Sequence, residues 1–529
     1  MTASSSTDLF PLRIGTRDEF AQLESFLRQA GFDEEGVCLA MKIPNLKLLG
    51  GALREPSRLA SAEPPLLALL IRLFIAGESV AASDVERLVD PGVRAVLLAL
   101  DLVRRAPVDG PNAYAATVFL YPVEGVFITS DRHAPGSGDD WKPPPDVVFP
   151  ALFHGTQRFL HLLPPGRADD ALDLCSGSGV AAFVLSRHAR RAVASDITPR
   201  AMHFCAFNRL LNRRLNVEVA QGDLYEAVPG QTFDVIVAHP PYVPSQSITH
   251  IYRDGGVTGE EIIRRVIAGL PGALRPGGVF HMVCAAWDAK NAPFEDRVRA
   301  WLGSSAAEFD VLFALQSGTP AAEVASDAAK HGQGDHALPS RWQQLFNEAE
   351  LEQNVYGALV LARAPAGTVG SRRPVTRRVR LSVLTDAMAF PVLFERLHWL
   401  DAHERGGDLT AALVGQRPRP APHLRVEMAY APGAAGLVRE NVVLIADWPF
   451  AARTQIDPWM FELVARLDGS RTLEAAYRSV RDSGEMPEAF RVEDSVKLIA
   501  LGIERGYWNV EYGEPSGSAA PGDPGLHAG

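Results

Sequence analysis

The chain has 529 residues, 47% apolar and 22% charged, which excludes a disordered or fibrous protein and suits two to four domains at roughly 100–200 residues each. A formal net charge of -11 argues against a general nucleic-acid sponge, although it leaves room for a local basic patch. Four scattered cysteines (Cys38, Cys175, Cys205 and Cys284) form no CxxC pair and no Cys/His cluster of metal spacing, so reduced thiols in a cytoplasmic chain and no metal site are expected.

The opening "MTASSSTDLFPLRIG" has no basic start followed by an apolar run, so no signal peptide is expected. Residues 15–60 read as helices; "TRDEFAQLESFLRQAG" carries early acids, apolar residues at helical spacing and a closing glycine. "PPLLALLIRLFIAG" is interrupted by Arg72 and falls short of the ~20 residues a membrane span needs, so it reads as a buried helix. "GESVAASDVERLVD" and "PGVRAVLLALDLVRR" add two helices, and "AATVFLYPVEGVFITSD" adds two strands joined near Pro122–Gly125. Three helices and a hairpin are the order of a winged helix; an ordinary packing domain without nucleic acid accounts for the same order and is preferred. This N-terminal domain is assigned to residues 1–135.

"APGSGDDWKPPPD" is a proline- and glycine-rich connector. From 146 to 365, "ALDLCSGSG", "RAVASD", "NVEVAQGD", "FDVIVAHPP" and "GGVFHMVCAAW" alternate with helix-length spacers, the pattern of a parallel α/β sheet. "DVLFAL" and "YGALVLARA" supply two last strands around a long polar stretch. "SRRPVTRRVR" at 371–380 reads as a basic linker. Residues 380–512 read as a small α+β accessory domain, loosely like the winged-helix modules that bind peptides or pack on enzymes. The tail from 513 to 529 is compositionally disordered.

"LDLCSGSG" is a strand, a glycine turn and a helix start. A pyrophosphate fingerprint wants a third glycine where Ala182 stands. D-x-x-x-G-x-G instead suits S-adenosylmethionine, whose methionine end approaches the bare backbone at Gly177 and Gly179, with Asp173 serving its ammonium through water. Asp196, at the end of the second strand, suits a ribose hydroxyl pair. Asp223, at the end of the third, suits the adenine amino group. Each alone reads as well as a cap or a solvated turn residue; three at successive strand ends beside a glycine turn do not.

These motifs, with "ASDITPRAMHFCAFN", "GDLYEAV", "FDVIVAHPPYVP", "YRDGG" and "LRPGG" in colinear order, resemble class I S-adenosylmethionine-dependent methyltransferases of the HemK-like small-methyltransferase group. That group includes glutamine-amide methyltransferases of release factors and N-methyltransferases of RNA and DNA. The resemblance covers 146–365 and implies a Rossmann-like seven-stranded sheet. It implies cofactor contacts at Asp173, Cys175, Gly177, Gly179, Asp196, Ile197, Asp223, Leu224 and His239, and catalytic roles for His239, Pro240 and Tyr242.

In the group the corner reads Asn-Pro-Pro-Tyr or Asn-Pro-Pro-Phe; here His239 replaces asparagine, with Pro240, Pro241 and Tyr242 retained. Asparagine and a proline carbonyl accept the two N–H bonds of a planar nitrogen, so rate comes from positioning. Neutral imidazole also offers one acceptor, and can act as a base with an acid limb near pH 6.5. N-methylation of an amide or amine in a protein, peptide or small molecule is the first expectation. The alternatives are a specialised-metabolism enzyme acting on oxygen or nitrogen with His239 as base, a nucleic-acid N-methyltransferase, and a non-catalytic cofactor-binding scaffold. Arg372, Arg373, Arg377, Arg378 and Arg380 keep nucleic acid open; a charged linker is the plainer account. The flanking modules point to a macromolecular or carrier-bound acceptor or to a homodimer surface. Glycines 255, 256 and 259 mark a mobile loop, whose Tyr252, Arg253 and Asp254 read equally well as groups in reach of the pocket or as solvated loop side chains; the resemblance implies that Phe153, His154 or Thr156 lines the cofactor.

Overall fold

A computed structural model describes residues 10–106, 112–132, 143–331, 338–434 and 436–511. The connector expected at 134–146 lies mostly outside them, and the tail wholly so. The chain forms two compact units, one of residues up to Val369 with Thr376–Arg378, the other of Gly370–Val375 and the chain from Val379.

The first unit is built on an eight-stranded sheet: β1 (Ala168–Leu174), β2 (Ala189–Asp196), β3 (Val217–Gln221), β4 (Phe233–Ala238), β5 (Leu274–Ala289), β6 (Phe309–Pro320), β7 (Leu351–Arg363) and β8 (Thr376–Arg380). Their order is β8-β6-β7-β5-β4-β1-β2-β3. β1 to β5 pair with one another in parallel; β7 runs antiparallel to both β5 and β6. The inner strands β4 to β7 carry apolar runs, as strands covered on both faces do, whereas the edge strands β3 and β8 are polar. Leu172, Ile236, Phe280, Val311 and Leu359 share one core with the helix Glu261–Ala273, which buries Ile263, Val266, Ile267 and Leu270 at one-turn spacing.

One expectation is corrected by the sheet. The sheet has eight strands, because part of the expected linker is β8, where Arg378 pairs with Asp288 (2.6 and 2.7 Å) and Glu295 (2.6 and 3.0 Å). A charge-assisted fork outweighs the linker-like composition. The polar stretch between β6 and β7 carries the helices Ala321–His331 and Leu338–Glu348, and Trp342 and Phe346 bury against Trp287.

Ahead of the sheet lie the helices Arg17–Gln29, Glu34–Met41, Pro65–Leu70, Ala82–Leu88 and Pro91–Ala99. A three-stranded sheet joins Val80–Ala81, Ala113–Ala116 and Val103–Ala106, and a hairpin pairs Phe119–Val123 with Val126–Ser130. The hairpin turns at Glu124 and Gly125, both at positive φ. It docks on the helix Pro199–Leu211, where Arg200 forks onto Asp131 (2.5 and 2.7 Å).

The second unit has a three-stranded antiparallel sheet (Arg425–Gly433, Gly436–Ala446, Ala452–Ile456) and the helices Ala389–Gly406, Leu473–Asp482 and Val492–Glu504. Trp399, Leu444, Leu473, Ile499 and Trp508 form its core. Among the described residues no helix is long and apolar enough to cross a membrane.

Candidate functional site

The register lines the carboxyl ends of four strands into one edge. Leu174 pairs with Ser195 on one side and Ala238 on the other, and Asp196 pairs with Gln221. Cys175, Asp196, Asp223 and His239 therefore emerge together, where ligands of open α/β sheets bind. A cleft of about 470 Å³ at the opposite edge, lined by Arg167, Asp169, His188, Arg190 and Asp234, stands at the start of β1 and away from these residues.

The turn after β1 is left-handed at Cys175 (φ 56°), Gly177 (φ 51°) and Gly179 (φ 81°). A Cβ on Gly179 would lie 2.5 Å from Cys205 Sγ and 3.0 Å from Phe183, so only glycine fits. A Cβ on Gly177 would meet nothing within 4 Å; that backbone faces open space. The turn is thus bare on the side a ligand approaches and packed on the other.

Asp173 is buried, and its Oδ2 accepts from the Ala182 N–H at 3.0 Å. Burial, opposed by that one bond and reinforced by Asp196, pushes its carboxyl up to about 8. Asp196 accepts from the Gly177 N–H (3.0 Å) and from the N–H and hydroxyl of Thr198 (3.0 and 3.2 Å). Burial raises its carboxyl despite those donors. It braces the turn while standing where ribose hydroxyls are expected. Ile197, next to it, is 50% exposed, an apolar face for a flat ring. Asp223 carries an ion pair to Arg265 at 2.8 Å, and Leu224 beside it is at φ 52°.

His239 follows β4. Its Nε2 is buried without a hydrogen-bond partner among the described residues. Its ring lies 5.2 Å from that of Phe159 and 5.9 Å from that of Tyr242, which lies 6.1 Å from that of Tyr356. Burial lowers the imidazole to about 4, which corrects the expectation of titration near 6.5. Burial likewise raises the Tyr242 hydroxyl, which lies against that of Tyr356.

The loop after the corner, expected to be mobile, is tied back onto it by backbone hydrogen bonds. Val243 donates to the Arg253 carbonyl (2.9 Å), Gly255 to Val243 (2.9 Å) and Ser245 to Gly256 (2.7 Å). A Cβ on Gly255 would lie 2.7 Å from the Pro241 oxygen, and one on Gly259 2.4 Å from the Tyr242 oxygen. These glycines permit close approach rather than motion. Asp254 is buried within the loop, accepting from the N–H groups of Thr249 (2.6 Å) and His250 (2.9 Å) and from Arg253 (2.8 Å). Tyr252 stacks on Phe149 at 4.7 Å. Glu260 closes the loop onto β5 through the Trp287 N–H (2.9 Å) and Arg297 (2.7 and 2.8 Å).

Upstream, Phe153 and His154 are exposed at the start of the helix His154–His161, and Thr156 is half-buried. Phe159, on the same helix, is the residue that reaches His239. Phe159 and Tyr356 were not among the sequence candidates. Each sits in an ordinary apolar or strand-like run, and only the antiparallel return of β7 brings Tyr356 to the corner.

Residues 151–300 match the family model of the methyltransferase small domain. A ribosomal protein uL3 glutamine methyltransferase of Bordetella pertussis is 32% identical over 164 residues, 28% of this chain and 54% of that protein. A putative protein N5-glutamine methyltransferase of Methanocaldococcus jannaschii is 35% identical over 146 residues, 26% of this chain and 72% of that one. A release factor glutamine methyltransferase of Moorella thermoacetica is 31% identical over 155 residues, 26% of this chain and 55% of that protein. The chain spans about half the length of two of these relatives and 72% of the third.

Proposed function

The chain belongs to the small-methyltransferase family, and from that premise we propose that it is an S-adenosylmethionine-dependent enzyme that methylates an amide or amine nitrogen of a protein. The observation that carries the reading is the His239 Nε2, a buried ring nitrogen without a hydrogen-bond partner among the described residues, at the strand end next to that of the bare glycine turn; in the Nδ1–H tautomer it is an acceptor. The donor set fits the cofactor: open backbone at Gly177 for the methionine end, the Asp196 carboxylate for the ribose hydroxyls and Ile197 for the adenine face. S-Adenosylmethionine supplies an electrophilic methyl group when bound.

The chain's own residues hold the acceptor. His239 Nε2 takes an acceptor N–H, and the rings of Tyr242 and Phe159 give its planar group an aromatic wall. An imidazole lowered to about 4 is a weak base, so burial favours positioning over proton abstraction and the amide over an oxygen nucleophile. Two of the relatives above carry names that specify a glutamine of a ribosomal protein or a release factor, which supports a protein glutamine as the first acceptor to try. The test is transfer of labelled methyl from S-adenosylmethionine to ribosomal proteins, release factors, carrier proteins and nucleic acid in separate reactions. N-methylglutamine in a protein hydrolysate is expected; label confined to nucleic acid or to an oxygen would overturn the reading.

On this reading the enzyme is cytoplasmic, with domains at 1–135, 146–365 and 380–512; the helices Pro65–Leu70, Ala82–Leu88 and Pro91–Ala99 support a winged-helix-like module, with the strands Val103–Ala106 and Ala113–Ala116 in place of the wing expected at 115–131, which pairs as a separate hairpin. Limited proteolysis is expected to cut near 132–145, between 365 and 375, and after 512, leaving the sheet whole. First cleavage inside a strand of the sheet would refute these boundaries.

A further inference from the structure

The helix Pro199–Leu211 does more than follow the ribose carboxylate. It begins at Thr198, bonded to Asp196, and near its far end it backs the glycine turn with two side chains one turn apart. Cys205 fills the space behind Gly179. Asn208 is fully buried, and its amide Nδ2 donates to the Ser178 carbonyl at 3.0 Å, between the two turn glycines. Its other bonds all go to the N-terminal hairpin: Nδ2 to the Thr129 carbonyl (3.1 Å), and Oδ1 from the Thr129 N–H (2.8 Å) and hydroxyl (2.7 Å). Every hydrogen-bonding site of this amide is used, so its orientation is fixed from both sides.

Asn212, one turn on, makes the same exchange with the next hairpin residue of like orientation. Its Oδ1 accepts from the Phe127 N–H (2.8 Å), and its Nδ2 donates to the Phe127 carbonyl (2.6 Å) and back to the Asn208 carbonyl (2.8 Å). None of its bonds reaches the glycine turn. The two asparagines therefore share one docking task, and only Asn208 has a second.

We propose that Asn208 is a positioning residue for the cofactor, locking the Gly177–Gly179 arc to the N-terminal hairpin, so that the hairpin is part of the cofactor-site machinery. The inference rests on the assignment of this turn to S-adenosylmethionine. A left-handed turn packed on one side and open on the other needs an anchor outside itself, and the Ser178 carbonyl is where this one is held.

The full chain, Asn208→Ala and Asn212→Ala are compared by calorimetry with S-adenosylhomocysteine and by thermal melting. Both variants are expected to melt lower, since each strands buried backbone groups of the hairpin. Only Asn208→Ala is expected to weaken S-adenosylhomocysteine, by about 10-fold, the loss of one well-placed anchor. Asn208→Ser, which keeps one donor, replaces alanine in the comparison if Asn208→Ala does not fold. Equal weakening in the two variants, or none in the Asn208 variant, overturns the positioning role while leaving the cofactor assignment intact. A wild-type chain that binds no S-adenosylhomocysteine overturns that assignment and this inference with it.

Discussion

Asp196→Ala is expected to weaken S-adenosylhomocysteine binding by about 100-fold, from a wild-type dissociation constant on the order of micromolar. Two losses combine. Contacts from the carboxylate to ribose hydroxyls, as proposed, would be charge-assisted, a class worth about 1.5–3 kcal/mol. The Gly177 N–H, now bonded to Asp196 at 3.0 Å, loses its acceptor, so the turn that meets the methionine end loses a brace. Asp196→Asn separates the two, because it keeps the size of the side chain while removing the charge. Calorimetry decides: affinity unchanged in the alanine variant refutes the ribose assignment.

His239→Ala is expected to slow methyl transfer by about 100-fold or more, through loss of the acceptor that orients the nucleophile. His239→Asn, which restores an acceptor, is expected to retain most of the activity. The pH profile distinguishes the two roles of the imidazole. Because burial lowers it to about 4, His239 stays neutral from pH 5 to 9 and contributes no acid limb near 6.5. A limb near 6.5 that disappears in His239→Asn would refute this and restore the general-base role.

The same lowering links to stability. Between about 6.5, the unfolded value, and about 4, the unfolded chain holds a proton on this imidazole that the folded chain does not. Stability is therefore lost as pH falls through that window. His281, buried with its Nδ1 2.7 Å from the Leu162 carbonyl and also lowered to about 4, acts in the same direction.

The sequence was most legible where chemistry and backbone geometry coincide. The glycine turn, the acidic strand ends and the His-Pro-Pro-Tyr corner all need particular residue types at one sheet edge, and the register places them there. It was least legible where one composition serves two structures. The arginines of 371–380 suit a linker, and only the distant carboxylates of Asp288 and Glu295 make a strand of them. Gly255 and Gly259 suit a flexible loop as well as a close contact; nothing local says that the corner's own backbone lies against them. Asn208 stood inside a quoted motif without a role, because its partners, Thr129 and Ser178, lie 79 and 30 residues away.

The fastening of the loop to the corner has a consequence for how an acceptor is chosen. An enzyme that folds a lid over its substrate spends part of the binding energy on ordering that lid, and the lid adjusts to what it covers. Here the loop after the corner is already fastened, with Val243, Ser245 and Gly255 bonded in place and Asp254 buried within it. On the proposed reading, an acceptor would incur less ordering entropy here than at a loop that had still to form these bonds. On the proposed reading, selection would then fall on the shape of the incoming side chain, since a longer or shorter homologue of the acceptor would set its nitrogen out of line with the Nε2 proposed to hold it.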